Sequence, residues 1–189
     1  TTDVGILQFS KFCKPDPNSG YTIDDNARAL INMVMYHENY ADENVLNLAD
    51  IYLNFIEGMQ RDDGWFDNYK NFDGQLTNQN QEVNLEDANG RVLWSLGYVI
   101  AHKKALPVKL VLRALKCWNK ALPNIVKIHS PRAVAYAIKG LYHYHSVFRD
   151  QKSKELATEL AAILLHHYKI NSKENWNWFE DPPQGTEGG

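Results

Sequence analysis

Cysteine is scarce in this sequence. Its two cysteines, Cys13 and Cys117, lie far apart. They allow one bridge at most and read as two reduced thiols. Long apolar runs are missing as well. None reaches the roughly 18–20 residues that span a bilayer, so no membrane segment is expected. No secretory signal is visible, and a cytoplasmic setting is the expectation, although the chain starts at Thr1 rather than Met. Neither sign of charge is in large excess. A net charge of −3 gives no reason to expect nucleic acid or another polyanion as a partner. Phosphate-binding glycine loops, a nucleophile elbow and a Cys/His ligand set are all lacking, so neither a cofactor nor a metal is expected. The seven histidines make no metal site: His143 and His145 point apart on a helix, and His166 and His167 are adjacent. What is present is an ordinary globular composition, 44% apolar and 23% charged. The length suits one domain, 1–189, with a sizeable core. Five tryptophans and ten tyrosines stand out because many fall in expected loops, where aromatic rings bury less.

One stretch recurs. Asp24-Asp25-Asn26-Ala27-Arg28-Ala29-Leu30 returns as Asp87-Ala88-Asn89-Gly90-Arg91-Val92-Leu93. Both copies open an apolar stretch at helical spacing. A weaker third copy, Ser130-Pro131-Arg132-Ala133-Val134, keeps the Arg but lacks the Asp.

The spacing of apolar residues predicts six helices, at roughly 24–39, 43–59, 86–102, 107–121, 131–148 and 152–168. Pro15, Pro17 and the turn signal Asn18-Ser19-Gly20 keep 1–21 irregular. Thr22 with Asp25 resembles a capping box, Pro107 is placed as a first helical residue, and Ser130-Pro131 is a strong helix start. Trp118, Tyr142 and Tyr144 lie within helices and read as core. Connections alternate between short and long, so the helices pair into antiparallel hairpins at 24–59, 86–121 and 131–168. The long connection 60–85 is expected to fold its aromatic half over a surface and to leave the Gln/Asn run at 75–81 mobile. The tail 182–189 is expected to be flexible. The repeated motif opens the first helix of each hairpin, so those starts and the aromatic loops share one end.

These motifs resemble a bacterial helical-hairpin domain found with or beside glycosyltransferases. Gly20-Tyr21-Thr22-Ile23-Asp24-Asp25-Asn26-Ala27-Arg28-Ala29-Leu30 is similar to its opening. Trp65-Phe66-Asp67-Asn68-Tyr69, Glu86-Asp87 with Gly90-Arg91-Val92-Leu93-Trp94, Ser130-Pro131-Arg132-Ala133 and Trp176-Asn177-Trp178-Phe179-Glu180 are similar to its further motifs, in the same order. Gln60-Arg61-Asp62-Asp63-Gly64-Trp65 also looks like the Gln/Trp turn of terpenoid cyclases. The resemblance implies an all-α fold, an (α/α) toroid of the six-hairpin glycosidase type, whose inner helices surround a sugar-sized cleft. Three hairpins are legible, so the expectation is about half a toroid. Pro182-Pro183 and glycines stand where another helix would come next. Half a ring exposes apolar ends, which predicts a homo-oligomer or a partner covering them.

The expected chemistry lies on the rim. Asp24 and Arg28, like Asp87 and Arg91, share a helix face. Capping and the helix dipole account for any one of these Asp residues. The functional alternative is that Asp24, Arg28, Glu86, Arg91 and Arg132 bind sugar hydroxyls. An Arg beside a carboxylate suits a base better than an acid, so Asp25 or Asp87 is the candidate base. Glu180, among Trp176, Trp178 and Phe179, is the candidate acid, as in an inverting glycosidase whose carboxyls stand roughly 6.5–9.5 Å apart. Trp65, Tyr69, Trp176 and Trp178 either stack on sugar or plug hairpin ends. Three readings stand: a glycoside hydrolase-like protein, a non-catalytic carbohydrate-binding accessory module, or a helical scaffold without a sugar ligand.

Overall fold

The computed structural model of the protein describes residues 1–172. Two short ladders occupy its irregular parts. β1 (Ser10–Lys11) pairs with β2 (Lys14–Pro15), and β3 (Tyr21–Thr22) pairs antiparallel with β4 (Tyr69–Lys70). The rest of the architecture is helical. Helices α1 (Ile23–Tyr40) and α2 (Asn44–Gly58) form the first hairpin, and a single turn, α3 (Gln79–Glu82), lies in the long connection. Helices α4 (Glu86–Ala101) and α5 (Val108–Ala121) form the second hairpin, α6 (Pro131–Phe148) and α7 (Gln151–Asn171) the third. Among the described residues, no helix is long and apolar enough to cross a membrane.

The first helices of the hairpins, α1, α4 and α6, pack side by side as one layer, with their partners behind them. The tightest contact is between α4 and α6, and glycine makes it possible. A Cβ on Gly90 would stand 2.7 Å from the Ala133 carbonyl, and one on Gly97 would stand 2.5 Å from that of Gly140. Both pairs have the same offset along the chain, so α4 and α6 run parallel. The core fills the space between the layers: Leu30, Leu53, Ile56, Leu96, Ile100 and Leu141 are fully buried, as is Trp118. Arg113 on α5 ties the back of the second hairpin to the first. It donates to Asp50 at 2.5 Å, to Glu57 and to Asn54.

A second repeat closes two of the helices. Tyr36-His37-x-x-Tyr40-x-Asp42 at the end of α1 matches Tyr144-His145-x-x-Phe148-x-Asp150 at the end of α6. In both, the residue before the Asp turns left-handed, with φ of 51° at Ala41 and 52° at Arg149. The His Nδ1 faces the Asp carbonyl, at 3.1 Å and 2.8 Å. The Asp carboxylate then accepts a backbone N–H from the next helix, from Asn44 or Ser153. The two rings stack obliquely, 4.6 Å and 4.8 Å between centroids.

Several expectations need correction. The Gln/Asn run is ordered by Asn80, whose amide oxygen accepts from the Asn68 and Tyr69 N–H groups and whose nitrogen donates to the Tyr69 and Thr77 carbonyls. Pro107 caps α5 in extended geometry, with ψ of 133°, instead of entering it. The connection between α5 and α6 contains a 3-10 helix, Leu122–Lys127. Trp118 is core, but Tyr142 is 67% exposed. Thr22 caps α1 by accepting from the Asp25 N–H, yet the Asp25 carboxylate takes the Thr22 hydroxyl at 2.6 Å rather than reaching back to the backbone. Both cysteines are free thiols, Cys13 exposed and Cys117 buried, and burial pushes the Cys117 thiol up to about 11. The expected tail at 182–189 lies outside the described residues.

Candidate functional site

The repeated motif joins one hairpin to the next. Asp24 receives Arg91 from the following copy, with Nη1 at 2.6 Å and 2.8 Å from its two oxygens. Asp87 in turn receives Arg132 of the third copy at 3.3 Å, and the Ser130 hydroxyl at 2.6 Å. Sequence spacing pairs Arg91 with Asp87, four residues away, but the fold does not. The Asp87 side chain is occupied by the start of α6, while Arg91 is largely buried beside α1. Burial opposes the Arg91 charge, but the Asp24 carboxylate and Tyr136 more than offset it and raise its pKa. Arg28 stays on its own helix, 2.5 Å from Asp25 and 3.5 Å from Asp24. Glu86 caps α6 from a distance, accepting the His129 and Ser130 N–H groups at 2.8 Å and 2.6 Å.

The motif Asn has a separate duty. Asn26 accepts the Ile6 N–H and donates to the Thr22 carbonyl. Asn89 accepts the Phe66 N–H and donates to the carbonyls of Phe66 and Leu85. Each copy thus clamps an extended segment onto the start of its helix. Both asparagines are buried, at 0% and 3% exposure, where an unpaired amide would be costly.

Below this belt, α4 turns its buried residues Val92, Leu96 and Val99 toward the second layer, leaving Arg91, Trp94 and Tyr98, with the C-cap residue His102, partly buried on the front. The facing residues of α6 are Tyr136, Lys139 and His143. Trp94 stacks on Tyr136, 5.7 Å between centroids and 6° apart in plane. Arg91 lies 5.1 Å over the Tyr136 ring, and Lys139 Nζ lies 3.0 Å over Trp94. Tyr98 meets His143 edge-on at 5.1 Å and His102 at 4.1 Å. His102 Nε2 reaches Glu38 of α1 at 3.2 Å. Trp94 Nε1 and Arg91 Nε are buried donors without an acceptor among the described residues.

A separate cavity of about 230 Å³ opens between the long loop and the start of α4. Trp65 and Glu86 both line it, with Arg61 and Asn84. It sits on the far side of α4 from the aromatic seam. Trp65 is half-buried and also packs against the core, and Tyr69 lies in β4. So Asp24, Asp25, Arg28, Asp87, Arg91 and Arg132 come together as a belt, and Trp65 with Glu86 line the separate cavity. Glu180, Trp176 and Trp178 lie outside the described residues. Trp94, Tyr136 and Lys139 were missed by sequence reasoning. The signal for them was an aromatic at each turn of α4 on the Arg91 face.

Burial, with His102 and Lys139 nearby, holds the His143 imidazole below its ordinary pKa. The unfolded chain therefore binds a proton at His143 more readily than the folded one. The stability this contributes is full above the ordinary value of about 6.5 and is lost as pH falls through the folded value. His143→Phe keeps a ring against Tyr98 and removes the titration. Urea midpoints measured from pH 7.5 to 5 should fall less steeply for the variant, and equal slopes would assign the acid sensitivity to another group.

The chain matches none of the protein-family models, and no curated protein matches it significantly.

Proposed function

We propose that this protein is a carbohydrate-binding module of the (α/α) toroid type, accessory to a glycosyltransferase, that holds a glycan on the front of α1, α4 and α6. One observation carries the reading: the Trp94–Tyr136 stack lies directly below a belt of paired carboxylates and guanidiniums. Aromatic faces take the C–H faces of sugar rings, and charged groups at the edge take hydroxyls. The three hairpins correspond to about half of a toroid, and the front layer to its inner wall.

Binding is favoured over hydrolysis by the state of the belt. Asp24, Asp25, Glu86 and Asp87 each accept a hydrogen bond from a protein donor. A general acid must carry its own proton and reach the glycosidic oxygen. Carboxylates engaged with Arg, Ser and backbone donors fit structural duty better. The hydrolytic alternative therefore rests on Glu180, with Asp25 or Asp87 as its base.

A glycan-binding screen run beside a hydrolysis assay tests this. The expected result is binding without cleavage products, weakened about tenfold by Trp94→Ala, the scale of one lost aromatic contact. Cleavage that disappears in Glu180→Gln would select the hydrolase instead. Binding by no glycan would leave a helical scaffold.

A further inference from the structure

The aromatic seam extends past the single Trp94–Tyr136 stack, and its use as a longer binding track rests on the carbohydrate reading of this protein. We infer that the ligand is an extended acidic oligosaccharide lying along the α4/α6 seam, with a carboxylate or sulfate group of the glycan placed at Lys139.

The extension comes from the order of the rings. Trp94, Tyr98 and the C-cap residue His102 recur every four residues, at a rise of about 6 Å per step. A pyranose ring is about as wide as one such step. Tyr136 and His143 on α6 flank the same rungs, at 5.7 Å from Trp94 and 5.1 Å from Tyr98. Glycines at 90, 97 and 140 bring the two parallel helices close together, so the rings of α4 and α6 share one seam. Three consecutive rungs on an open helix face suit a chain of sugars better than a single one.

The charge comes from Lys139, a cation in the seam that faces no carboxylate among the described residues. At the top of the seam, Arg91 and Arg28 are matched by Asp24 and Asp25. At the bottom, His102 faces Glu38. Between them, Lys139 Nζ has the Trp94 ring as its contact, 3.0 Å away. Burial lowers the Lys139 pKa, with no carboxylate acting against it. An ammonium held over a ring is held more weakly than one bonded to a carboxylate or sulfate. An anionic group at this level would draw Nζ off the indole and uncover the face on which a sugar stacks. Charge recognition and stacking are then one event, and the flexible stem of lysine permits the swing.

Calorimetric titration with uronic-acid and sulfated oligosaccharides of one to six units, in several linkages, tests this against neutral oligomers of equal length. Affinity should climb with length and level off at about three units, the number of rungs that α4 presents. At low salt the acidic series should bind about tenfold tighter than the neutral one, the scale of a charge-assisted contact. Lys139→Gln should erase that preference, and an unchanged far-UV circular dichroism spectrum shows that the variant is folded. His143→Ala should reduce the length at which affinity levels off. Equal binding of both series, or a monosaccharide matching a trisaccharide, would overturn the inference. If neutral oligomers still bound through Trp94 in that case, the carbohydrate reading would stand. Binding by neither series would overturn both.

Discussion

Replacing Gly140 with valine is expected to destabilise the fold by about 3 kcal/mol or more, the upper end of the cost of overpacking a core. Gly140 lies where α4 and α6 touch. A Cβ there would meet the Leu93 carbonyl oxygen at 2.5 Å and its carbon at 2.8 Å, and Trp118 at 3.0 Å. Backbone atoms of a helix cannot step aside as a side-chain end can, so the helices must separate. Separation would slide Gly97 off Gly140 and open the seam that sets Trp94 against Tyr136. Valine adds two further methyls, and no rotamer directs all of them away from α4. Urea denaturation should show the loss as a lower midpoint with an unchanged slope. Gly58→Ala provides the contrast. A Cβ at Gly58 meets only the Lys70 amine, at 3.8 Å, and the change should fall within about 0.5 kcal/mol. A tolerated Gly140→Val would mean that the two helices are not held this closely in solution.

Asn89→Ala should be nearly as damaging, by a different route. The amide serves both the N–H and the carbonyl of Phe66, at 2.9 Å and 3.0 Å. Phe66 is 1% exposed, so water cannot replace the amide without opening the loop. Two unserved buried groups at about 1–3 kcal/mol each predict a loss of about 3 kcal/mol. The Leu85 carbonyl also loses the amide but keeps the Asn89 backbone N–H at 3.0 Å, so it adds little. Loop 60–85 should become the first site of proteolysis. Asn26→Ala removes a similar clamp from Ile6, which is only partly buried, and should cost less. Equal losses at the two positions would count against burial as the cause of the difference.

The helices were legible because each carries an apolar stripe at helical spacing, and their ends fell within a few residues of the expected ones. α7 runs further than its stripe, to Asn171. The long loop was less legible. Its order comes from single amides, Asn80 and Asn89, that reach across space, and a sequence reads them as ordinary loop or helix residues. Ion pairs failed for a related reason. Spacing within one helix pairs Asp87 with Arg91, and only the arrangement of neighbouring helices shows that Asp24 takes that arginine. Trp118, Tyr142 and Tyr144 were assigned to the core because they lie within helices. That holds for Trp118, which is surrounded on all sides, and fails for Tyr142, which is 67% exposed. The second repeat escaped notice because it marks helix ends, where alternating aromatic, His and Asp residues carry no apolar period.

The direction of the Asp-to-Arg belt bears on how the chain is made. In each link the carboxylate precedes the guanidinium in sequence, Asp24 before Arg91 and Asp87 before Arg132. A ribosome releases the protein from its N-terminus, and early segments fold as later ones emerge. Arg91, largely buried in the finished protein, therefore meets a counter-charge already in place. Until then Asp24 is served by Arg28 on its own helix. The reverse order would oblige a buried cation to wait for an anion not yet synthesised. The belt thus suits assembly in the order of translation, each hairpin docking onto the charge left exposed by the one before.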